Sequence, residues 1–368
     1  MNTLHPVVIL GSHFWNQELL PRDEFAERMR SIRALMKEHR WDGLLVFGDC
    51  AEPGLLAWLT NVCPRMRWTV ALLGQTGEPI LVVPGAVRDL PMTAVMTPVG
   101  DVRSSVAMAK ILPEWVQSLA KGKPRIALYG AARMAASVRA VASGGLAGAD
   151  SIDSDNEFGS VLQTTRPREA YLMRQGCALL AQATETFKDV LEETLEPAQA
   201  ALEAERTARL EGAHDVRILL SRERGRVMEP FSTMDFPRED PSLAYFALRY
   251  LGYWVEALVS VNHVRTPEQE AVDAALEEMV DRAHVGLSHA EIISPAEIRL
   301  KNFGEHPVFG RCRVKKMGLF LNEPGQAQQP ILEPGMYALT AAVCGTVGAA
   351  ASVLVHVGKT GAQPVESA

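Results

Sequence analysis

FGEHPVFGRCRVKKMGLFLNEPGQAQQPILEPGMYALTAAVC, residues 303–344, is the stretch whose reading decides the fold. It holds two glycine turns (Gly304 and Gly310), a basic run from Arg311 to Lys316, and then the segments Gly318–Pro324 and Leu332–Met336. Pro-Gly pairs flanked by apolar, β-favouring residues predict strands joined by tight turns, with the polar side chains between them facing a cleft.

Working outward, 368 residues are enough for two domains of ordinary size. An apolar share of 47% with 22% charged residues describes a globular chain that can bury a sizeable core. The formal net charge of -7 argues against a general nucleic-acid binder. No apolar run approaches roughly 18 residues, so no membrane span is expected. The opening MNTLHPVVILGSHFW has no basic segment ahead of its short apolar run, so no signal peptide is expected. The five cysteines (Cys50, Cys63, Cys177, Cys312, Cys344) form no CxxC pair and fit free thiols in a reducing cytoplasm.

Residues 22–40 carry apolar side chains at helical spacing, 42–49 read as a buried strand, and 69–85 as two apolar runs joined by a hairpin turn. A helix over 106–120, a strand over 125–130 and a helical stretch over 131–142 follow, so the first half reads as an α/β domain. The small, polar segment 145–158 marks the boundary, giving domains 1–155 and 156–368. Pro167 sits in the first turn of a long helix running to Leu195, and a second helix covers 198–211.

VKKMGLFLNEP and ILEPGMYALTAAV, in that order, resemble conserved segments of the pita-bread hydrolases, the family of methionine aminopeptidase, aminopeptidase P, prolidase and creatinase. LAWLTNVCPRMRW resembles the YLTG strand of the creatinase and prolidase N-terminal domain, with Asn61 at the glycine. TTRPREAYLMRQG and LEPAQAALEAERTARLEGA resemble the helices that open the pita-bread domain. The resemblance spans nearly the whole chain. It implies a creatinase-type N-terminal α/β domain, a pita-bread α+β domain of the catalytic type, and a two-fold homodimer.

In the metal-using members an RxGD turn precedes two aspartates eleven residues apart, followed by a histidine and two glutamates. Carried onto this chain, with PRED (237–240) at the turn, those five positions fall on Tyr245, Glu256, Lys315, Ala341 and either Ala351 or Ser352. One carboxylate remains, and residues 338–358 contain no Asp or Glu. A dication needs several oxygen or imidazole donors in one shell, so neither metal nor other cofactor is expected.

Creatinase works without metal, using a histidine base, and its FGYGHSFG segment compares with FGEHPVFG (303–310). Its histidine falls on Pro307, with His306 adjacent; His306 is either a proton-transfer catalyst or a surface residue in a Pro-containing turn. Lys315 and Glu256 either form an ion pair that replaces the charge of metal and ligands, or Lys315 belongs with Lys316 to a solvated basic strand edge. Tyr245 either donates to an anionic substrate or is a core residue with one partner.

Arg222, with Arg224 and Arg226, forms a cationic loop. With Arg65 and Arg67 it suggests a carboxylate- or phosphate-bearing small molecule, each arginine being otherwise a surface charge. The resemblance implies that Arg65 or Arg67 reaches a partner's active site. Trp254 is either an apolar wall for substrate or core, and the resemblance places Glu323 in the substrate pocket. His214, His263, His284, His289 and His356 show no ligand spacing and read as structural or exposed.

Two functions follow. The first is a metal-independent, creatinase-like hydrolase or lyase that acts on a small carboxylate-bearing substrate through side-chain acid/base chemistry. The alternative is a non-catalytic pita-bread protein that binds a small ligand or peptide.

Overall fold

The computed structural model describes residues 13–365 apart from 120–121, 240–241, 262–264, 306, 309, 322–330 and 345–347. The chain divides into two compact units, Met1–Gln163 and Thr164–Ala368.

In the first unit, helix α1 (Arg22–Glu38) buries Phe25, Met29, Ile32 and Met36, the apolar stripe its spacing predicts. Strand β1 (Gly43–Gly48) follows, and then helix α2 (Gly54–Thr60), where the resemblance to YLTG had implied a strand. Asn61 caps α2 in the left-handed conformation (φ 61°), which explains how it stands at a glycine position: asparagine is among the residues that tolerate that conformation. Its side-chain amide also donates to the Met96 carbonyl at 2.9 Å.

The hairpin of β2 (Thr69–Gly74) and β3 (Ile80–Val83) forms as expected, with Val70 opposite Val82. Strand β4 (Asp101–Ser104), helix α3 (Met108–Leu119), strand β5 (Arg125–Tyr129), helix α4 (Ala136–Gly145) and strand β6 (Asp150–Asp153) complete a mixed sheet of order β4-β3-β2-β1-β5-β6.

Helix α5 (Asp155–Gln163) belongs to this unit, so the division falls after Gln163 rather than after residue 155. Phe158 holds it there, fully buried with its ring 5.3 Å from that of Trp41. A single aromatic anchor outweighs the polar composition that marked the segment as a linker.

The second unit opens with α6 (Pro167–Thr194) and α7 (Pro197–Leu210), both with proline in the first turn. Strands β7 (Asp215–Arg222), β8 (Val227–Glu229), β9 (Ser242–Tyr250) and β10 (Tyr253–Val261) form one antiparallel sheet of order β10-β9-β7-β8. Helices α8 (Pro267–Arg282) and α9 (His289–Leu300) precede the other antiparallel sheet, built from β11 (Cys312–Lys316), β12 (Gly335–Val343), β13 (Ala349–Gly358) and β14 (Gly361–Pro364).

Each sheet turns one face to helices. Phe246 meets Phe187 of α6 with ring centres 5.4 Å apart. Cys312, Val314, Leu339, Ala341 and Val343 pack with Val272, Met279, Ile292 and Leu300 of α8 and α9. The faces left over look into the interior of the unit.

Edge strand β10 is fastened to the second sheet by its outward backbone groups. Trp254 N–H donates to the Gly318 carbonyl at 2.6 Å. The Ser352 hydroxyl accepts from Leu258 N–H and donates to the Leu258 carbonyl at 2.7 Å, and the Ser260 hydroxyl donates to the Ala350 carbonyl at 2.9 Å. These bonds satisfy an edge that would otherwise be open. Among the described residues no helix is long and apolar enough to cross a membrane.

Candidate functional site

The β9–β10 hairpin sets the site. A two-residue turn at Leu251 and Gly252, both with positive φ (44° and 93°), places Ala247 opposite Glu256 and Tyr245 opposite Leu258. Tyr245 and Glu256, eleven positions apart, are therefore diagonal neighbours on the interior face. The Tyr245 hydroxyl donates to Glu256 Oε2 at 2.7 Å.

On β11 the side chains alternate. Cys312 and Val314 join the helix-side core, so Arg313 and Lys315 project to the interior. Lys315 Nζ donates to Glu256 Oε2, and the Arg313 guanidinium pairs with Glu256 Oε1. Both ends of one carboxylate thus meet cations, and its second oxygen also receives a phenol. Glu256 and Lys315 are each only 2% exposed.

Burial pushes the Tyr245 hydroxyl up to about 12, so it stays a proton donor. Burial, then the adjacent Arg313 charge, push the Lys315 ammonium down to about 7. Burial also lowers the Arg313 guanidinium.

Arg313 was missed by reading the sequence, although its place two residues before Lys315 on a strand was the available signal. The run RCRVKK is no solvated edge: Arg313 and Lys315 point inward, and Lys316 lies near Glu333, with Nζ 3.6 Å from a carboxylate oxygen.

Two carried-over positions need correction. Ala341 packs under the helices, and the β12 residue on the interior face is its neighbour Thr340, which sits opposite Arg313. Of Ala351 and Ser352, the serine is the one turned toward β10. Tyr245, Glu256, Ala257, Leu258, Arg313 and Thr340 line a cavity of about 10 Å³.

This donor set does not fit a dication. Among the described residues, the one carboxylate in the cluster is already held by two cations, and its other side-chain oxygens are those of tyrosine, threonine and a serine bonded into the seam. Among the described residues, no three of His, Cys, Asp and Glu gather where they could hold a metal.

Trp254, two residues from Glu256 on the same face and 4% exposed, lies under the guanidinium groups of Arg217 (4.9 Å) and Arg249 (5.2 Å). Asp215 faces both arginines, at 3.5 and 3.6 Å.

Arg222 is not brought to the cluster. It leaves β7 on the side opposite Leu219 and Tyr245, pairs with Glu229 at 2.9 Å and covers the Phe236 ring. Arg226 pairs with Glu305 at 3.0 Å, and the Arg224 amide donates to Glu239 at 3.0 Å, so this loop is tied by local acids. Arg65 and Arg67 are exposed in the first unit, ahead of β2. His306 and Glu323 lie outside the described residues, as does His263. His214 is structural: its Nδ1 accepts from Leu251 N–H at 3.2 Å, holding the strained hairpin turn.

No family model matches the sequence, and no curated protein matches it. Solved structures do match. A prolidase from Thermococcus sibiricus is 17% identical with a TM-score of 0.74, covering 94% of this chain and 97% of its own. An X-Pro aminopeptidase from Thermotoga maritima is 15% identical at TM-score 0.73, covering 93% and 97%. An Xaa-Pro dipeptidase from Bacillus anthracis is 15% identical at TM-score 0.72, covering 94% and 98%. The class this defines is a two-domain α/β chain of the prolidase and aminopeptidase P type. Within it, this chain has the fold of a creatinase-type N-terminal domain followed by a pita-bread domain.

Proposed function

We propose that this is a metal-independent pita-bread protein that binds a small carboxylate-bearing ligand and is not a metallopeptidase. The observation that carries the reading is the convergence of Arg313, Lys315 and Tyr245 on Glu256. With both carboxylate oxygens engaged, the fixed charges of two side chains do the electrostatic work that a dication does elsewhere in the fold. Among the described residues, the interior face carries Arg217, Arg249, Arg313 and Lys315 with Asp215 and Glu256, a set of cations that suits an anionic ligand beside Trp254. Binding without turnover fits this arrangement best, because the acid and the lysine are committed to each other.

A second reading, a metal-free hydrolase or lyase, is favoured by the Lys315 ammonium lying near 7, where a proton moves most readily at physiological pH. Lys315 would then be the base, with Glu256 and Tyr245 orienting it.

The test has two parts. Elemental analysis of the purified protein should give substoichiometric zinc, manganese and iron, chelator should leave the thermal midpoint unchanged, and Xaa-Pro dipeptides should survive incubation. One tightly bound metal per chain overturns the proposal. A panel of small amino- and hydroxy-carboxylates should then raise the midpoint with no product visible by NMR, whereas product that disappears in Lys315→Met would establish the enzyme instead.

A further inference from the structure

The first unit carries a cleft of about 430 Å³ between helix α4 and the outermost strand, β6. That volume suits a small organic molecule. Strand β6 lies parallel to β5, with Ser151 opposite Ile126 and Asp153 opposite Leu128. Ile126 belongs to the core under α3 and α4, so strand alternation sends Ser151 and Asp153 to the helix side, where they line one wall. Met134, Ala142 and Leu146, all buried, give the cleft an apolar floor. Arg139 and Ser143, one turn apart on α4, line the other wall.

The two charged side chains are opposite in sign and are not paired with each other. Nη2 of Arg139 donates to the Ala131 and Ala132 carbonyls at 2.7 and 3.0 Å, which fixes the guanidinium at the end of β5. Among the described residues, its Nη1 and Nε make no hydrogen bond, and the side chains of Asp153, Ser143 and Ser151 make none either. Leu128, beside Asp153, and Ala131, bonded to Arg139, are separated by at most about 10 Å of chain, so one small molecule reaches both charges. A simple cation would use only Asp153, and a simple anion only Arg139. A zwitterion with an apolar side chain uses both walls and the floor, and a guanidinium receives a carboxylate through two parallel bonds.

We propose that this cleft binds a zwitterion of the α-amino-acid type with an apolar side chain, as the free amino acid or as a dipeptide. Its ammonium meets Asp153, its carboxylate meets Arg139, and its side chain lies on Met134, Ala142 and Leu146. The site is built from the first unit alone and does not rest on the metal-free reading of the Arg313, Lys315 and Glu256 centre.

The probe is L-selenomethionine, soaked near pH 7 into crystals of the wild-type protein, and selenium should give an anomalous peak over Met134 and Leu146. In solution, calorimetric titration with L-methionine and with L-methionyl-L-methionine separates the two sources, the tighter one being the occupant. Asp153→Asn, at an exposed position, should weaken that ligand about 5-fold. The same change should leave the affinity for N-acetyl-L-methionine, which has no ammonium, as it is in the wild type. Arg139→Gln should likewise weaken L-methionine and spare L-methioninamide, which has no carboxylate. No selenium in the cleft, an L-methionine affinity indifferent to Asp153→Asn, or equal losses for L-methionine and its N-acetyl derivative would each overturn the proposal. Selenium found only beside Arg313 and Lys315 overturns it too while leaving the metal-free reading intact, so the two failures are told apart.

Discussion

Glu256→Gln is the change that probes the centre most directly, because it keeps the shape and removes the one charge that two cations share. Arg313 and Lys315 both pair with that carboxylate, so after substitution two like charges, on the order of 5 Å apart across it, remain without their acid. At the effective dielectric typical of protein sites their repulsion is about 3 kcal/mol. Removing one partner of a buried ion pair costs about 3–5 kcal/mol in general, which agrees. For a unit of this size the thermal midpoint should fall by about 6–20 °C.

The cost should depend on pH in a defined direction. Lys315 holds its proton more weakly in the folded chain, near 7, than in the unfolded chain, near 10.5. Between those values the unfolded state binds more protons, so the stability this group contributes rises with pH across that window and is lowest below about 7. Glu256→Gln should deepen the slope. Lys315→Met removes the costly ammonium and leaves Glu256 paired with Arg313 and Tyr245, so it should be near neutral or stabilising below about pH 7 and flatten the slope. Urea unfolding followed by circular dichroism at several pH values reads both. Were Glu256→Gln to cost under about 1 kcal/mol, the cluster would be behaving as an exposed pair and the burial argument would be wrong.

Two further outcomes follow from the parts that hold the site. His214 accepts the Leu251 amide and is pushed down to about 4 by burial and then by Arg249; it must be neutral to do so. The unfolded chain takes up that proton nearer 6.5, so about 2–3 kcal/mol of stability present above pH 6.5 should be lost as pH falls toward 4, and acid unfolding of His214→Gln should lack that component. Ser352→Ala leaves both outward backbone groups of Leu258 without the hydroxyl that now bridges them, and calorimetry should register a loss of about 2–4 kcal/mol; a loss under about 0.5 kcal/mol would mean that water restores the seam.

Much of the fold was legible because glycine, proline and apolar spacing carry it locally. Pro167 announces α6, the Gln75–Pro79 turn announces the β2–β3 hairpin, and helices α1 and α3 follow their stripes. Where local and tertiary signals compete the sequence misleads: α5 reads as a polar linker until Phe158 is seen buried against Trp41.

The site was legible to the strand but not to the phase. Tyr245 and Glu256 were read as two separate positions of one centre, and it is the tight hairpin with its turn at Leu251 and Gly252 that makes them hydrogen-bonded neighbours. On β11 and β12 the motif located the strands, yet a strand repeats every two residues, and a displacement of one exchanges its faces. That displacement separates Ala341 in the core from Thr340 in the interior. The same alternation bears on Arg313: a strand that turns Lys315 inward turns Arg313 inward two positions earlier, but the motif singled out Lys315 alone. Side-chain phase, more than fold, thus decides which charges meet at this centre, and here it brings two cations and one acid together.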